Sequence, residues 1–173
     1  MNLRKVYDFA TTTPLDEIRF ILETKRLNKA AAERSFKGNY GHELGKILKS
    51  SKSEEQILGS NTFTHILSYT SAACDARMAG AMIPVMSNSG SGNQGITATL
   101  PVVVYAEDNH KSEEELIRAL TLSHLTAIYI KQAGTSVCTM RLCSGCNRFQ
   151  LWYHLFDGRH LRANHFCRTE YDR

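Results

Sequence analysis

A run of nine small and amide residues, 87–95, constrains the fold more than any other feature of this 173-residue chain. It stands between two apolar stretches, and its three glycines let another group approach the backbone closely. Successive backbone N–H groups in such a loop can bind an anion, and hydroxyl and amide side chains can hold a carboxylate or a phosphate. We therefore predict a ligand site in this glycine loop (residues 87–95) rather than a plain flexible turn. The candidate substrate-binding residues are Ser87, Asn88, Ser89, Gly90, Ser91, Gly92, Asn93 and Gln94.

Gly90, Gly92 and Gly95 also match the spacing of the dinucleotide-binding fingerprint. That fingerprint follows a β-strand, and an acidic residue stands about 20 residues further on, after a second strand. Here the preceding chain has a helical pattern, and no acidic residue takes that place. The match therefore does not predict a nucleotide-binding fold.

The sequence before the last quarter of the chain contains start and end signals for a series of short helices. Thr13 can cap a helix whose first position is Pro14, and this helix should fade near Arg34. Two further predicted helices begin with a capping box. In a capping box the side chain of a serine and that of a glutamate or glutamine each bond to the other residue's backbone N–H. The further predicted helices lie at residues 44–48, behind residues 53–56 and behind residues 112–115.

The apolar segment 96–105 is compatible with two structures. Its three consecutive valines favour a buried strand, whereas a buried helix kinked at Pro101 is equally allowed. With helices predicted on both sides of this segment, the fold class is mainly α.

Four reactive or charged residues outside the glycine loop have two interpretations each. Asp75 and Arg77 could form a buried ion pair that braces the loop, or Arg77 could bind substrate. Cys74 is better explained as a small core residue than as a nucleophile, because no base is assigned to it. His124 lies on an apolar helical stripe, where a hydrogen-bonded core histidine is favoured over a catalytic one.

The composition excludes several classes of protein. The longest apolar stretch, residues 96–106, is far too short to span a membrane. Residues 1–26 carry charges throughout and lack the apolar core of a secretory signal, so we expect a cytoplasmic protein with free cysteines. The net charge is +4, of which residues 1–132 contribute +1 (15 basic minus 14 acidic) and residues 133–173 contribute +3 (6 minus 3). A nucleic-acid-binding surface on the larger part has little support.

The last 41 residues contain four of the five cysteines and the only tryptophan. Cys143, Cys146, His160 and His165 have the spacing of a two-Cys, two-His zinc site, which would indicate a zinc-binding nucleic-acid module. The residues between them do not have the pattern of two strands and an amphipathic helix that a zinc finger needs. The spacing is therefore interpreted as accidental, and no metal ligand is assigned.

The sequence strongly resembles the serine dehydratase alpha-like family in residues 75–80 and 87–101, and the glycine loop is the most specific part. The most similar branch is that of bacterial proteins related to L-cysteine desulfidase. The resemblance covers residues 7–132 and implies part of a helical catalytic domain of a β-eliminating lyase. Such enzymes hold a 4Fe–4S cluster by three cysteines and convert cysteine or serine to pyruvate, ammonia and sulfide or water. The glycine loop would bind the substrate carboxylate or border the cluster, supported by Asp75 and Arg77.

The resemblance stops at Gln132. When residues 133–173 are back-translated and read with one nucleotide dropped, a family-like continuation fits all 41 codons without a stop. In the shifted frame the codons fix the residue at two positions. Met140 followed by an arginine codon that begins with C is read as cysteine, and Trp152 followed by a tyrosine codon is read as glycine. We interpret residues 133–173 as an irregular, out-of-frame tail without a domain, and residues 1–132 as part of a serine dehydratase alpha-like domain.

The chain departs from the family in the cysteines that would hold the cluster. The resemblance implies one before the point that matches Met1, one in the out-of-frame part and one beyond Arg173. We therefore expect a middle fragment that binds no cluster, is inactive by itself and exposes apolar surface. Its expected partners are a small amino-acid substrate and the missing N- and C-terminal portions, not nucleic acid or a membrane. No catalytic residue is assigned, and the choice between cysteine and serine stays open.

Overall fold

The computed structural model describes residues 2–50 and 62–133, which form mostly helices. No strand occurs in these ranges, where the only β-type pairing is an isolated bridge between Asn88 and Ser91. The mainly α prediction is therefore confirmed. No described helix is both long enough and apolar enough to cross a membrane. The elements are α1 (Leu3–Thr12), α2 (Leu15–Ile18), a 3₁₀ turn (Arg19–Ile21), α3 (Leu22–Lys37), α4 (Leu44–Lys49), α5 (Thr62–Met78), α6 (Gly92–Asp108) and α7 (Glu113–Ala133).

The first helix boundaries differ from the prediction. Thr13 does not cap α2, because its hydroxyl donates a 2.6 Å hydrogen bond back to the carbonyl of Phe9 in α1. Pro14 takes the N-cap position instead of the first helical one. Helix α3 continues to Lys37, past the predicted end near Arg34, and its last turn is closed by the N–H of the following glycine.

Two other predicted helix signals are confirmed. The short helix at residues 44–48 is α4. At the start of α7 the N–H of Ser112 donates to Glu115 Oε2 at 2.9 Å, and the N–H of Glu115 donates to Ser112 Oγ at 3.3 Å. This reciprocal pair is the predicted capping box. The capping box at residues 53–56 lies outside the described residues.

The segment that is compatible with a strand or a helix by pattern is the helix α6, and Pro101 lies inside it. Ile96, Leu100 and Val103 are fully buried along this helix. Burial against neighbours on several sides outweighs the preference of β-branched residues for strands. The strand alternative is therefore wrong and the buried helix is confirmed, whereas the kink at Pro101 stays a prediction.

Helix α6 is also the element that joins the parts of the core. One apolar cluster joins it to α2 and α7, and another joins it to α3 and α5. A third cluster packs α1 against α7. Because α6 is packed from both sides, its first turn, which completes the glycine loop, has a fixed place between α3, α5 and α7.

Candidate functional site

The glycine loop forms a tight two-residue turn that leads directly into α6. The N–H of Asn88 donates to the carbonyl of Ser91 at 3.1 Å, and the N–H of Ser91 donates back at 3.0 Å. Between them Ser89 and Gly90 have φ of 51° and 80°, both positive as in a type I′ turn. A serine in the left-handed region is uncommon. Such a conformation persists only where the surrounding contacts hold it, so the neighbours of this turn determine its shape.

The end of the loop is the N-terminus of α6. The N-cap Ser91 accepts a 3.3 Å hydrogen bond at Oγ from the N–H of Gln94. The first N–H groups of a helix have no intrahelical acceptor and lie at the positive end of its dipole. A Cβ at Gly95 would overlap the carbonyl oxygen of Met86, so glycine is required where the loop folds back on the helix. The loop and a helix N-terminus therefore occur together, as an anion site needs.

Asn28 of α3 supports the loop from beneath. Its fully buried amide accepts from the N–H of Met86 at 2.9 Å and donates to the Thr99 hydroxyl at 3.0 Å. The same amide nitrogen lies 3.3 Å from the carbonyl oxygen of Gly95. The sequence signal for this role is weak, namely one asparagine at helical spacing from the buried Ala32. Through these bonds the side chain of Asn28 fixes both ends of the loop to α3.

His124 of α7 supports the turn from another side and is only 7% exposed. Its Nδ1 lies 3.0 Å from Asn88 Nδ2, and its Nε2 lies 3.1 Å from the hydroxyl oxygen of Thr99. The prediction of a hydrogen-bonded core histidine is confirmed, and its partners belong to the site. Asn88 is itself only 4% exposed, and its side chain supports the turn from inside.

The structure separates the two charged candidates outside the loop. Arg77 faces the loop, where Nη1 donates to Asn93 Oδ1 at 2.9 Å, and a Cβ at Gly92 would overlap its guanidinium. Asp75 instead accepts from the N–H of Leu44 at 3.0 Å, at the start of α4. Residues two apart on a helix do not face each other, and within the described ranges no ion pair joins these two. The predicted ion pair is therefore wrong, and Asp75 does not reach the loop.

Lys131, near the end of α7, is a further cation at the site. Its ammonium group donates to the carbonyl of Ser89 at the tip of the turn. The residue lies seven positions after His124, which places both on one face of the helix. That spacing is the sequence signal that could have identified it.

The loop residues differ in how far a ligand can reach them. Ser87 and Gly90 are exposed, whereas Gly92 is buried with Asn88. A cavity of about 440 Å³ lies beside residues 86–89, with mostly apolar walls from α1, α2 and α7. The remaining candidates are partly exposed: Ser89, Ser91, Asn93 and Gln94.

Cys74 does not have the properties of a nucleophile or a cluster ligand. Burial, with a smaller contribution from the charge of Asp75, raises the pKa of its thiol to about 11. It packs against the apolar cluster of α3, α5 and α6, as predicted for a core residue. It is the sole cysteine among the residues that the structure describes, and there no three His, Cys, Asp or Glu side chains converge to hold a metal ion. The described residues therefore do not fit a 4Fe–4S cluster.

Residues 134–173 lie outside the described part of the chain. The predicted irregular tail (residues 133–173) falls there except for Ala133, which is the last residue of α7, and the zinc-like spacing of Cys143, Cys146, His160 and His165 falls there too.

Comparison with known proteins identifies relatives of this chain. The UPF0597 protein of Phocaeicola vulgatus is 98% identical over 133 residues, which are 77% of this chain and 31% of that protein. The UPF0597 protein of Bacteroides thetaiotaomicron is 77% identical over the same shares, and that of Shewanella halifaxensis is 54% identical over 75% of this chain and 30% of its own. The chain thus spans about a third of the length of the curated relatives it matches. No solved structure matches it.

The sequence profile described as serine dehydratase alpha chain matches residues 4–146. This match begins close to the start of the resemblance seen in the sequence and extends 14 residues past its end at Gln132, since 146 − 132 = 14. It includes the glycine loop and all the helices that support it. The chain therefore belongs to the serine dehydratase alpha chain family.

Proposed function

We propose that residues 1–132 supply the carboxylate-binding loop of a lyase that removes the β-substituent of L-serine or L-cysteine. Elimination releases water or sulfide, and hydrolysis of the resulting enamine by water then gives pyruvate and ammonia. Membership of the serine dehydratase alpha chain family supports the class of reaction. The observation that supports the role of this chain best is the glycine loop, a rigid turn of small polar residues joined to the N-terminus of α6.

The loop suits the carboxylate of the substrate better than its ammonium group. The first-turn N–H groups of α6 and the dipole of this 17-residue helix favour a negative charge. Arg77 lies beside them, and within the described residues its only oxygen partner is Asn93, so other guanidinium N–H groups can bind a carboxylate. The ammonium of Lys131 adds positive potential near Ser89. These groups would bind and orient the substrate.

Removal of the α-proton and departure of the β-group are assigned to parts of the enzyme other than the described residues. His124 is a poor base here, because each ring nitrogen already has a hydrogen-bond partner. Cys74 is held protonated at neutral pH by burial. We propose that the reacting groups, including the cluster ligands, lie in the other two thirds of the full-length relatives.

Amide NMR of the full chain tests the binding proposal. The chain is titrated with L-serine and L-cysteine, and separately with ethanolamine and cysteamine, which lack the carboxylate. We expect the amides of residues 90–95 to shift with the amino acids and not with the amines, because only the amino acids have a negative group for the loop. Equal shifts with both sets, or shifts confined to residues away from the loop, would contradict the proposal.

We also propose, as a second candidate, that this chain is the inactive product of a gene whose reading frame is broken after Gln132. The observation in favour is that 98% identity extends over 133 residues of this 173-residue chain. The 41 residues beyond Gln132 contain four of its five cysteines and no lysine.

Resequencing the gene across the junction of residues 132 and 133 tests this candidate. A template with two additional nucleotides at the junction, which restores the family-like frame, would show that the tail is an error of the sequence, and the broken-gene candidate would be rejected. Recovery of the frame-broken sequence, without additional nucleotides, in independent isolates would support the broken-gene candidate. Binding of zinc in a one-to-one ratio by Cys143, Cys146, His160 and His165 would instead favour a folded tail and contradict the out-of-frame interpretation.

A further inference from the structure

We propose that His124 is a positioning residue that sets the shape of the glycine loop through the acceptor at its Nδ1. The inference rests on the proposed function, because it concerns the loop that would bind the substrate. It adds a residue that lies outside the loop in sequence and that need not contact the substrate.

The hydrogen-bond chemistry assigns a proton to each atom around His124. The side-chain nitrogen of Asn88 can only donate, and it lies 3.0 Å from Nδ1 and 3.1 Å from the carbonyl oxygen of the same histidine. Nδ1 therefore acts as the acceptor and carries no proton. The proton of the neutral ring is then on Nε2, which donates to the hydroxyl oxygen of Thr99 at 3.1 Å.

The hydroxyl of Thr99 completes the network. It donates to the carbonyl of Gly95 at 2.8 Å and accepts from the amide of Asn28 at 3.0 Å and from His124. One donor and two acceptor positions are all that a hydroxyl has. Each donor and acceptor position of the Thr99 hydroxyl is therefore occupied. A change at His124 cannot be compensated by rotating this hydroxyl.

The network acts on the strained part of the loop through Asn88. Asn88 is the residue before the turn, and its Oδ1 accepts from the hydroxyl of Ser89 at 3.0 Å. If Nδ1 of His124 were protonated or absent, the Asn88 amide would lose one of its two acceptors or would have to flip. A flip would turn the amide oxygen toward the histidine carbonyl, which only accepts, so that bond would break, and the Ser89 hydroxyl would have to change from donor to acceptor. The left-handed Ser89 and Gly90 depend on such contacts.

A measurement on the unmodified full chain tests the proton assignment first. Nitrogen NMR of the histidine ring distinguishes a protonated from an unprotonated ring nitrogen. We expect an unprotonated Nδ1 and a protonated Nε2 for His124 at neutral pH. A proton on Nδ1 would overturn the proposal, and this result needs neither a variant nor a ligand.

Two substitutions then test the contributions of the two ring nitrogens separately. His124→Asn keeps an acceptor near the place of Nδ1, whereas His124→Gln keeps a donor near the place of Nε2. The readout is hydrogen exchange at the N–H of Ser91, which bonds to the carbonyl of Asn88 across the turn. We expect exchange to become about tenfold faster in His124→Gln and to change by less than about threefold in His124→Asn.

Ser123→Ala is the matched control, because Ser123 is the buried neighbour on α7 and bonds to the carbonyl of Ala98 at 2.8 Å, away from the turn. It should lower thermal stability without faster exchange at Ser91. Equal acceleration in the asparagine and glutamine variants would show that His124 only fills space, and would overturn the proposal. Failure of L-serine to bind the unmodified chain would count against the proposed function alone, since the exchange pattern needs no ligand.

Discussion

The two flanks of the glycine loop are built in opposite ways. On one flank Asn28, Thr99 and His124 are buried and bond to one another and to the loop backbone. On the other flank Arg77 is partly exposed and makes a single bond to an oxygen atom, that of Asn93. The buried flank fixes the shape of the loop, because a polar group that loses its partner inside a protein is costly. The open flank keeps charged groups that can respond to a ligand.

The largest effect should come from breaking the contact between the loop and α6. Gly95→Ala places a methyl group on the carbonyl of Met86, a backbone atom that cannot move without disturbing its neighbours. We expect the free energy of unfolding to fall by about 3 kcal/mol, measured by urea denaturation. Gly90→Ala is the control, since a Cβ there meets open space and only the positive φ is unfavourable, at about 1 kcal/mol. Similar losses in the two variants would show that the overlap is relieved.

The next largest effect should come from the buried flank itself. Asn28→Ala leaves the N–H of Met86 without its acceptor and removes a donor to Thr99. We expect a loss of about 2 kcal/mol in the free energy of unfolding. Asn39→Ala, which removes an exposed bond to Lys46, should change it by less than about 0.5 kcal/mol. If both variants unfold at the same urea concentration, the buried flank is not the stabilising one.

On the open flank a substitution should change the affinity for L-serine while leaving the free energy of unfolding nearly unchanged. Arg77→Gln should weaken the binding of L-serine about tenfold, because the guanidinium is the charged partner of the carboxylate. Its free energy of unfolding should change by less than about 0.5 kcal/mol. Titration and urea denaturation of the same samples measure both, with Arg26→Gln as an exposed arginine paired to Glu23 elsewhere. Loss of stability without loss of affinity would place Arg77 with the buried flank.

The smallest effect should come from a partly exposed ion pair far from the loop. Burial raises the pKa of Glu107, but hydrogen bonds from Lys29 and Lys25 lower it more, and the net pKa lies below the ordinary 4.5. Because the folded pKa is the lower one, the stabilisation is present above the unfolded pKa and is lost as the pH falls through the folded value. Glu107→Gln should therefore reduce the free energy of unfolding at neutral pH by about 0.5 kcal/mol, after allowance for solvent screening.

The same comparison at about pH 3 should show a smaller difference between Glu107→Gln and the unmodified chain, since the stabilisation by the charged carboxylate is progressively lost as the pH falls below the ordinary pKa of 4.5. Glu33→Gln in the same groove is the control, because Glu33 makes none of the described ion pairs. A difference that does not depend on pH would mean that the amide changes packing rather than charge.

The parts of the fold that could be predicted are those encoded by neighbouring residues. Ser112 and Glu115 are three positions apart and form their capping box without help from the rest of the chain. The glycines of the loop likewise indicated close approach of other groups to its backbone, which the structure has at Gly92 and Gly95. Local signals failed where one residue has two possible partners, as with Thr13, whose hydroxyl bonds to the preceding helix rather than the next.

The supports of the site could not be predicted from local pattern. Asn28 bonds to Met86 across 58 positions, and Asn88 bonds to His124 across 36. A single buried asparagine or histidine has the same local signal whether it bonds to a loop or to its own helix. The direction of Asp75 depends on where α4 begins, which is likewise a matter of tertiary packing.

These separations have a consequence for the order in which the chain folds. The bonds that hold the turn join residues 58, 36 and 42 positions apart, and the last of them needs Lys131. Contacts so distant form only after the intervening chain has been ordered, because closing a long loop costs entropy before any bond is gained. During synthesis the turn is therefore organised after α7 has left the ribosome, although its own residues emerge some 40 positions earlier. A complete turn is thus a sign that all the helices around it have already assembled.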